Sequence, residues 1–68
     1  MSLKKHSITL NGHRTSFSLE PEFWNELQAI AKKQKRPVQD LIEEIDRGRQ
    51  GNLSSALRVF VLAEAKKS

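Results

Sequence analysis

Hydrophobic and polar residues alternate with a period of two in one stretch of the chain, residues 7–19. In the middle of this stretch, Asn11-Gly12 is a strong signal for a two-residue hairpin turn, because a type I′ turn needs positive φ at both central residues. Such a turn would place Leu10 opposite His13. The following pairs would be Thr9 with Arg14, Ile8 with Thr15 and Ser7 with Ser16. The pattern predicts a strand region over 7–19, in which residues 7–10 form either a hairpin strand or an arm.

The two faces of this predicted ribbon differ in chemistry, since successive strand side chains point to opposite sides. One face would carry Ile8, Leu10, Thr15, Phe17 and Leu19. The other would carry Lys5, Ser7, Thr9, Arg14, Ser16 and Ser18, which are basic or hydroxylic and include no carboxylate. A ribbon with such a face can enter a DNA major groove, where base edges offer hydrogen bonds. The alternative is an ordinary solvated face of a half-buried sheet.

Apolar residues recur at helical spacing in three later segments, which predict helices over about 21–34, 37–47 and 53–66. Pro21 suits the first turn of the first helix. The last helix has four consecutive apolar residues, 59–62, and is therefore expected to pack against both its own subunit and a partner. The residues predicted to form the core or the dimer contact are Thr15, Phe17, Leu19, Trp24, Leu27, Ile42, Leu57, Phe60 and Val61.

The length of 68 residues allows one domain, predicted over residues 7–68 after a flexible basic arm, residues 1–6. A core this small usually needs a disulfide, a metal or a partner subunit. The chain has no cysteine and its two histidines do not make a metal site, so oligomerisation remains and no cofactor is expected. The sequence shows neither a membrane-spanning run nor a signal peptide, which favours a cytoplasmic protein.

The net charge of +4 is unevenly distributed. The first 19 residues hold Lys4, Lys5 and Arg14 and no acid, and a second basic cluster spans 32–36. This distribution is typical of a surface that binds a polyanion, although solvated basic surfaces are also common. The phosphate contacts predicted from the arm and from the start of the second helix, where N–H groups are free, are Lys4, Lys5, Lys35, Arg36, Val38 and Gln39. The alternative at the second cluster is an ordinary helix–helix turn.

Three segments resemble a bacterial family of short ribbon-helix-helix proteins with a third helix, whose fold is that of the methionine and Arc repressors: NGHRTSFSLEPEFW (11–24), EEID (43–46) and GNLSSALRVFV (51–61). The resemblance covers residues 7–62. It implies a mainly α fold with a short N-terminal β-ribbon, assembled as an intertwined homodimer. The chain departs from the pattern at Arg36-Pro37, where the fold usually has a glycine and a serine or threonine cap.

The resemblance also implies a function. A transcriptional repressor of this kind places the two-stranded ribbon of its dimer in the major groove of double-stranded DNA. The residues implied to contact bases are Arg14, Ser16 and Ser18, and the start of the second helix would anchor a phosphate.

The sequence also bears on three functions other than DNA binding by the ribbon. An enzyme acting on a small-molecule substrate is not expected, because no nucleophile with a base and no paired carboxylates around a concave site can be identified. A helix-turn-helix with Ser54, Ser55 and Arg58 as base contacts would leave the alternating strand unexplained. A protein-interaction or antitoxin-type module would bind a partner protein through the second or third helix.

Overall fold

The structure is a computed structural model that describes residues 2–67. Two antiparallel strands are followed by three helices: β1 (Lys4–Leu10), β2 (His13–Leu19), α1 (Pro21–Lys33), α2 (Val38–Gly48) and α3 (Leu53–Lys66). This order confirms the predicted fold class for the single chain, which is mainly helical with an N-terminal ribbon. Met1, in the predicted arm, and Ser68, at the end of the predicted domain, lie outside the described residues.

The hairpin turn has the conformation that its sequence predicts. Asn11 has φ 51° and Gly12 has φ 83°, as a type I′ turn requires. Leu10 lies opposite His13, and the register continues to Lys4 opposite Leu19. The predicted pairing is therefore confirmed, and residues 7–10 form a hairpin strand.

The predicted flexible arm over residues 1–6 is wrong for Lys4, Lys5 and His6, which belong to β1. These residues continue the ladder opposite Leu19, Ser18 and Phe17. The His6 ring also stacks on two aromatic rings, with centroid distances of 5.2 Å to Phe17 and 4.1 Å to Trp24, and those two rings lie 6.0 Å from each other. This packing depends on a helix distant in sequence, so a polar N-terminus gave no local sign of it.

The three helices cover one face of the ribbon and form a single core with it. The buried side chains are Leu10, Phe17, Leu19, Leu27, Ala31, Leu41, Ile42, Leu53, Leu57 and Val61. Of the predicted core set, Trp24 and Phe60 are partly buried and the remaining residues other than Thr15 are buried.

Thr15 departs from the predicted core, because it is exposed in the single chain. It lies opposite the half-buried Ile8, midway along the apolar face of the ribbon. The helices cover Leu10 at one end of this face and Phe17 nearer the other, so the middle is left open. A contact of Thr15 with a second subunit remains a prediction.

The end of α1 contains a lysine in the left-handed backbone region. Lys35 has φ 59°, and its N–H donates to the carbonyl of Lys32 at 3.0 Å. The N–H of Arg36 donates to the carbonyl of Ala31 at 3.1 Å. This pair of bonds is a Schellman motif, which usually has glycine at the left-handed position. The turn between α1 and α2 is thus held at a conformational cost to Lys35.

We expect Lys35→Gly to stabilise the protein by about 0.5–1 kcal/mol. A side chain in the left-handed region costs roughly 1–2 kcal/mol, of which the greater backbone entropy of glycine in the unfolded chain offsets about half. Urea denaturation followed by circular dichroism measures the difference. The control is Lys32→Gly, the same change at an exposed helical position, which should destabilise. Destabilisation by both variants would contradict the strain assigned to Lys35.

Candidate nucleic-acid interface

The polar face of the ribbon consists of three cross-strand pairs, Lys5 with Ser18, Ser7 with Ser16 and Thr9 with Arg14. Members of a pair lie on the same side of the sheet, so two cations and four hydroxyl groups share this face. All of them are exposed except Ser18, which is half-buried. Neither strand contains an acidic residue. The structure therefore brings the predicted base contacts, Arg14, Ser16 and Ser18, onto one surface suited to a polyanion.

The lysines at the start of β1 are separated by the same alternation. Lys5 lies on the polar face opposite Ser18, whereas Lys4 lies on the other face opposite Leu19. Both side chains are exposed. The two predicted phosphate contacts of the N-terminus thus point to different sides of the sheet.

The backbone groups of β2 show which edge of the strand is open. In an antiparallel ladder, residues whose N–H and C=O bond the partner alternate with residues whose groups point away. The Ser18 N–H donates to Ser54 Oγ at 3.2 Å, so the backbone of Ser18 points away from β1. Arg14 and Ser16 lie four and two positions before Ser18 in the same strand, so their backbone groups also point away from β1. The sheet formed by residues 2–67 has only the strands β1 and β2. The backbone groups of Arg14 and Ser16 therefore face an edge of β2 that no other strand in this range covers.

Helix α2 holds the other side of the hairpin. Gln39 Nε2 donates to the carbonyl oxygen of Thr9 at 2.9 Å, and the Asn11 N–H donates to Glu43 Oε2 at 3.2 Å. Gln39 and Glu43 are four residues apart and so lie on one face of the helix. These two bonds place the start of α2 beside the outer edge of β1. The side chain of Gln39, a predicted phosphate contact, is therefore bonded to the hairpin. The N–H of Asp40 already donates to the carbonyl of Pro37 at 3.1 Å, so the N–H groups of Val38 and Gln39 are the ones that have no intrahelical acceptor.

The turn before α2 brings together the other predicted phosphate contacts. Lys35 is exposed, and Arg36 is half-buried. The Arg36 guanidinium donates to both carboxylate oxygens of Glu44, at 3.0 and 3.3 Å, and its Nε donates to Gln34 Oε1 at 2.8 Å. The hydrogen bonds from Arg36 hold the pKa of Glu44 below its ordinary value. A phosphate would compete with Glu44 for Arg36. The Lys35 side chain forms no hydrogen bond or ion pair within residues 2–67, so a phosphate would meet no such competitor there.

The residues proposed for a helix-turn-helix have roles within the chain. Ser54 Oγ accepts the Ser18 N–H, and the Ser55 N–H donates to the capping side chain of Asn52 at 2.8 Å. Arg58 Nε donates to Glu20 Oε1 at 2.9 Å and joins α3 to the residue before α1. These contacts favour the ribbon over α3 as the surface for DNA.

The role of Gln39, Glu43 and Ser54 in fixing the ribbon was not predicted from the sequence, where Gln39 was a predicted phosphate contact and Ser54 a base contact of the alternative helix-turn-helix. Each lies on an amphipathic helix, where a polar residue normally faces solvent. The acid-rich stretch around Glu43 gave no sign that one carboxylate would accept from the hairpin turn. Nothing in a single sequence identifies such long-range acceptors.

Two classes of site are absent from the described part of the chain. Within residues 2–67, no group of three or more His, Cys, Asp or Glu side chains is placed to hold a metal ion. None of the helices in that range has the length and apolarity needed to cross a membrane.

Comparison with known proteins identifies the family. Residues 3–65 match the family model described as a ribbon-helix-helix domain, so the chain belongs to the ribbon-helix-helix family. Domains of this family are DNA-binding regulators that bind as dimers, and they are typically not enzymes. No curated protein and no solved structure matches the chain.

The Glu20–Arg58 contact predicts a specific acid sensitivity. The hydrogen bond from Arg58 lowers the pKa of Glu20 in the folded protein. The pair therefore stabilises the fold above the ordinary pKa of a glutamate, and this contribution is lost as the pH falls through the lowered pKa. We expect Glu20→Gln to flatten the loss of stability on acidification, measured as urea midpoints over a pH series.

The control for this prediction is Glu22→Gln, the same change at an exposed residue in the first turn of α1. This variant should lose stability on acidification as the wild-type protein does. Identical pH profiles for Glu20→Gln and the wild type would contradict the assigned role of the pair.

Proposed function

As a member of the ribbon-helix-helix family, this protein is, we propose, a transcriptional repressor that binds DNA as a homodimer in the bacterial cytoplasm. The observation that carries this proposal is the position of the open edge of β2 beside a polar face without carboxylates. The edge provides a place for a second copy, and the face provides a surface for DNA.

The dimer follows from pairing β2 with β2 of a second copy about a two-fold axis. An exposed strand edge presents unpaired N–H and C=O groups that template pairing with another chain. Arg14 and Ser16 present these groups, while the N–H of Ser18 is occupied by Ser54. A second copy would also be near the uncovered middle of the apolar face at Ile8 and Thr15. These features support an antiparallel ribbon centred on the half of β2 that is nearest the hairpin turn.

In the proposed complex the polar face of this ribbon lies in the major groove. The Arg14 guanidinium is suited to grip guanine O6 and N7 together, and the hydroxyls of Ser16 and Ser18 would bond to neighbouring base edges. Ser18 has the least access of the three, because it is half-buried. Lys35 and the free N–H groups of Val38 and Gln39 would bind phosphate, with Arg36 joining them if it leaves Glu44.

A second candidate is an antitoxin-type module that binds a partner protein. The observation in its favour is on α3, where Val59 is 66% exposed and Leu62 is 54% exposed. Large exposed apolar residues beside one another mark interaction surfaces. Capture of a stable protein partner at a fixed ratio, without salt-sensitive DNA binding, would favour this candidate.

The test of the proposed function is DNA affinity measured for variants at several salt concentrations. Arg14→Ala should weaken the free energy of binding to a duplex from the DNA upstream of the gene by about 1–3 kcal/mol. It should also reduce discrimination against a scrambled duplex. Lys35→Asn removes a charge and introduces a residue that tolerates the left-handed backbone region. It should weaken binding to both duplexes alike.

Arg58→Ala, checked by circular dichroism for folding, is the matched arginine control. It should leave discrimination intact, because Arg58 bonds Glu20 within the chain. Loss of discrimination in Arg58→Ala with its retention in Arg14→Ala would contradict the ribbon as the base-contacting element. Absence of any salt-dependent DNA affinity in the wild type would contradict the proposed function as a whole.

A further inference from the structure

Strand β1 lies on the outer side of β2 over its whole length. All seven of its residues pair with β2, from Lys4 opposite Leu19 to Leu10 opposite His13. The bonds from Gln39 to Thr9 and from Asn11 to Glu43 fix the turn end of the hairpin to α2. If β2 pairs with a second copy through its open edge, the dimer therefore has a sheet of four strands, with the two β1 strands outermost.

Such a sheet is too wide to enter a major groove completely. Neighbouring strands are about 4.8 Å apart, so the axes of the outer strands would be roughly 14 Å apart. The major groove of B-DNA is about 12 Å wide and admits a two-stranded ribbon. The central β2 strands would therefore occupy the groove, and each β1 strand would lie against the phosphates that form its walls.

The side chains of β1 on this face have the chemistry for phosphate. Lys5 supplies an ammonium group, and Ser7 and Thr9 supply hydroxyl donors; all three are exposed. They share the face of Arg14 and Ser16 through the observed register. Lys4 and His6 lie on the opposite face, and the His6 ring packs against Phe17 and Trp24.

We propose that β1 is a phosphate-binding flank of the DNA-binding sheet, in which Lys5, Ser7 and Thr9 contact the backbone at the groove walls while Lys4 does not. This inference rests on the proposed function. It assigns DNA contacts to a second strand of each subunit and separates two adjacent lysines by the face that each occupies. It also gives the hairpin a function beyond extending the core, since a lone β2 strand would leave the groove walls uncontacted by the sheet.

The experiment compares Lys5→Ala with Lys4→Ala in binding to a short random-sequence duplex over a range of salt concentrations. The two variants lose the same charge at adjacent positions. Each phosphate contact contributes about 0.9 to the slope of log affinity against log salt concentration. Lys5→Ala should therefore reduce the slope by about two per dimer, and Lys4→Ala should leave it close to that of the wild type. Thr9→Val should weaken binding about fivefold or more without a change of slope.

The outcomes distinguish this inference from the function on which it rests. Equal effects of Lys4→Ala and Lys5→Ala, or no effect of either, overturn the proposal that β1 binds phosphate if Arg14→Ala still reduces discrimination between the duplexes. In that case the ribbon contacts DNA and β1 does not. A wild-type protein without salt-dependent DNA affinity overturns both proposals. Circular dichroism of each variant ensures that a lost contact is not a lost fold.

Discussion

The structure depends on the phase of one antiparallel ladder, which the turn at Asn11 and Gly12 sets. Side chains of a strand alternate between faces, and backbone groups alternate between edges, so a shift of one residue would exchange both. In the observed register, Phe17 and Leu19 enter the core while Arg14 and Ser16 face solvent. The same register aims the backbone of Arg14 and Ser16 at the open edge. One turn therefore decides the core, the proposed DNA surface and the proposed dimer contact together.

The helices hold that ladder in place at both ends. Gln39 and Glu43 bond the turn end of the hairpin, and Ser54 bonds the backbone of Ser18 at the other end. Between these ends, the stack of His6 with Phe17 and Trp24 ties the strands to α1. A DNA contact is more favourable when the contacting groups are ordered before binding, since less entropy is then lost. The polar contacts of the helices with the ribbon provide this order.

Local patterns in the sequence were sufficient for much of this fold. The Asn11-Gly12 turn, the period-two alternation and the helical stripes predict the hairpin register and the three helices, because each depends on neighbours in sequence. The errors occurred where distant contacts decide. Lys4 to His6 join the sheet through partners in β2 and through Trp24, and Arg36 is bound by Glu44 on the next helix. The left-handed Lys35 was unexpected, since lysine has no preference for that conformation. Exposure of Thr15 depends on whether a second subunit is present, which the pattern of one strand does not reveal.

Pairing of the open edge of β2 with a second copy of the chain can be tested by amide hydrogen exchange at single-residue resolution. If the edge is paired, the N–H groups of Arg14 and Ser16 should exchange slowly, and their protection should fall on dilution as the dimer dissociates. The N–H of Ser7, on the outer edge of β1, should exchange quickly at every concentration and serves as the internal control. Exchange of Arg14 and Ser16 as fast as that of Ser7, in a folded protein at high concentration, would show that β2 does not pair with a second copy.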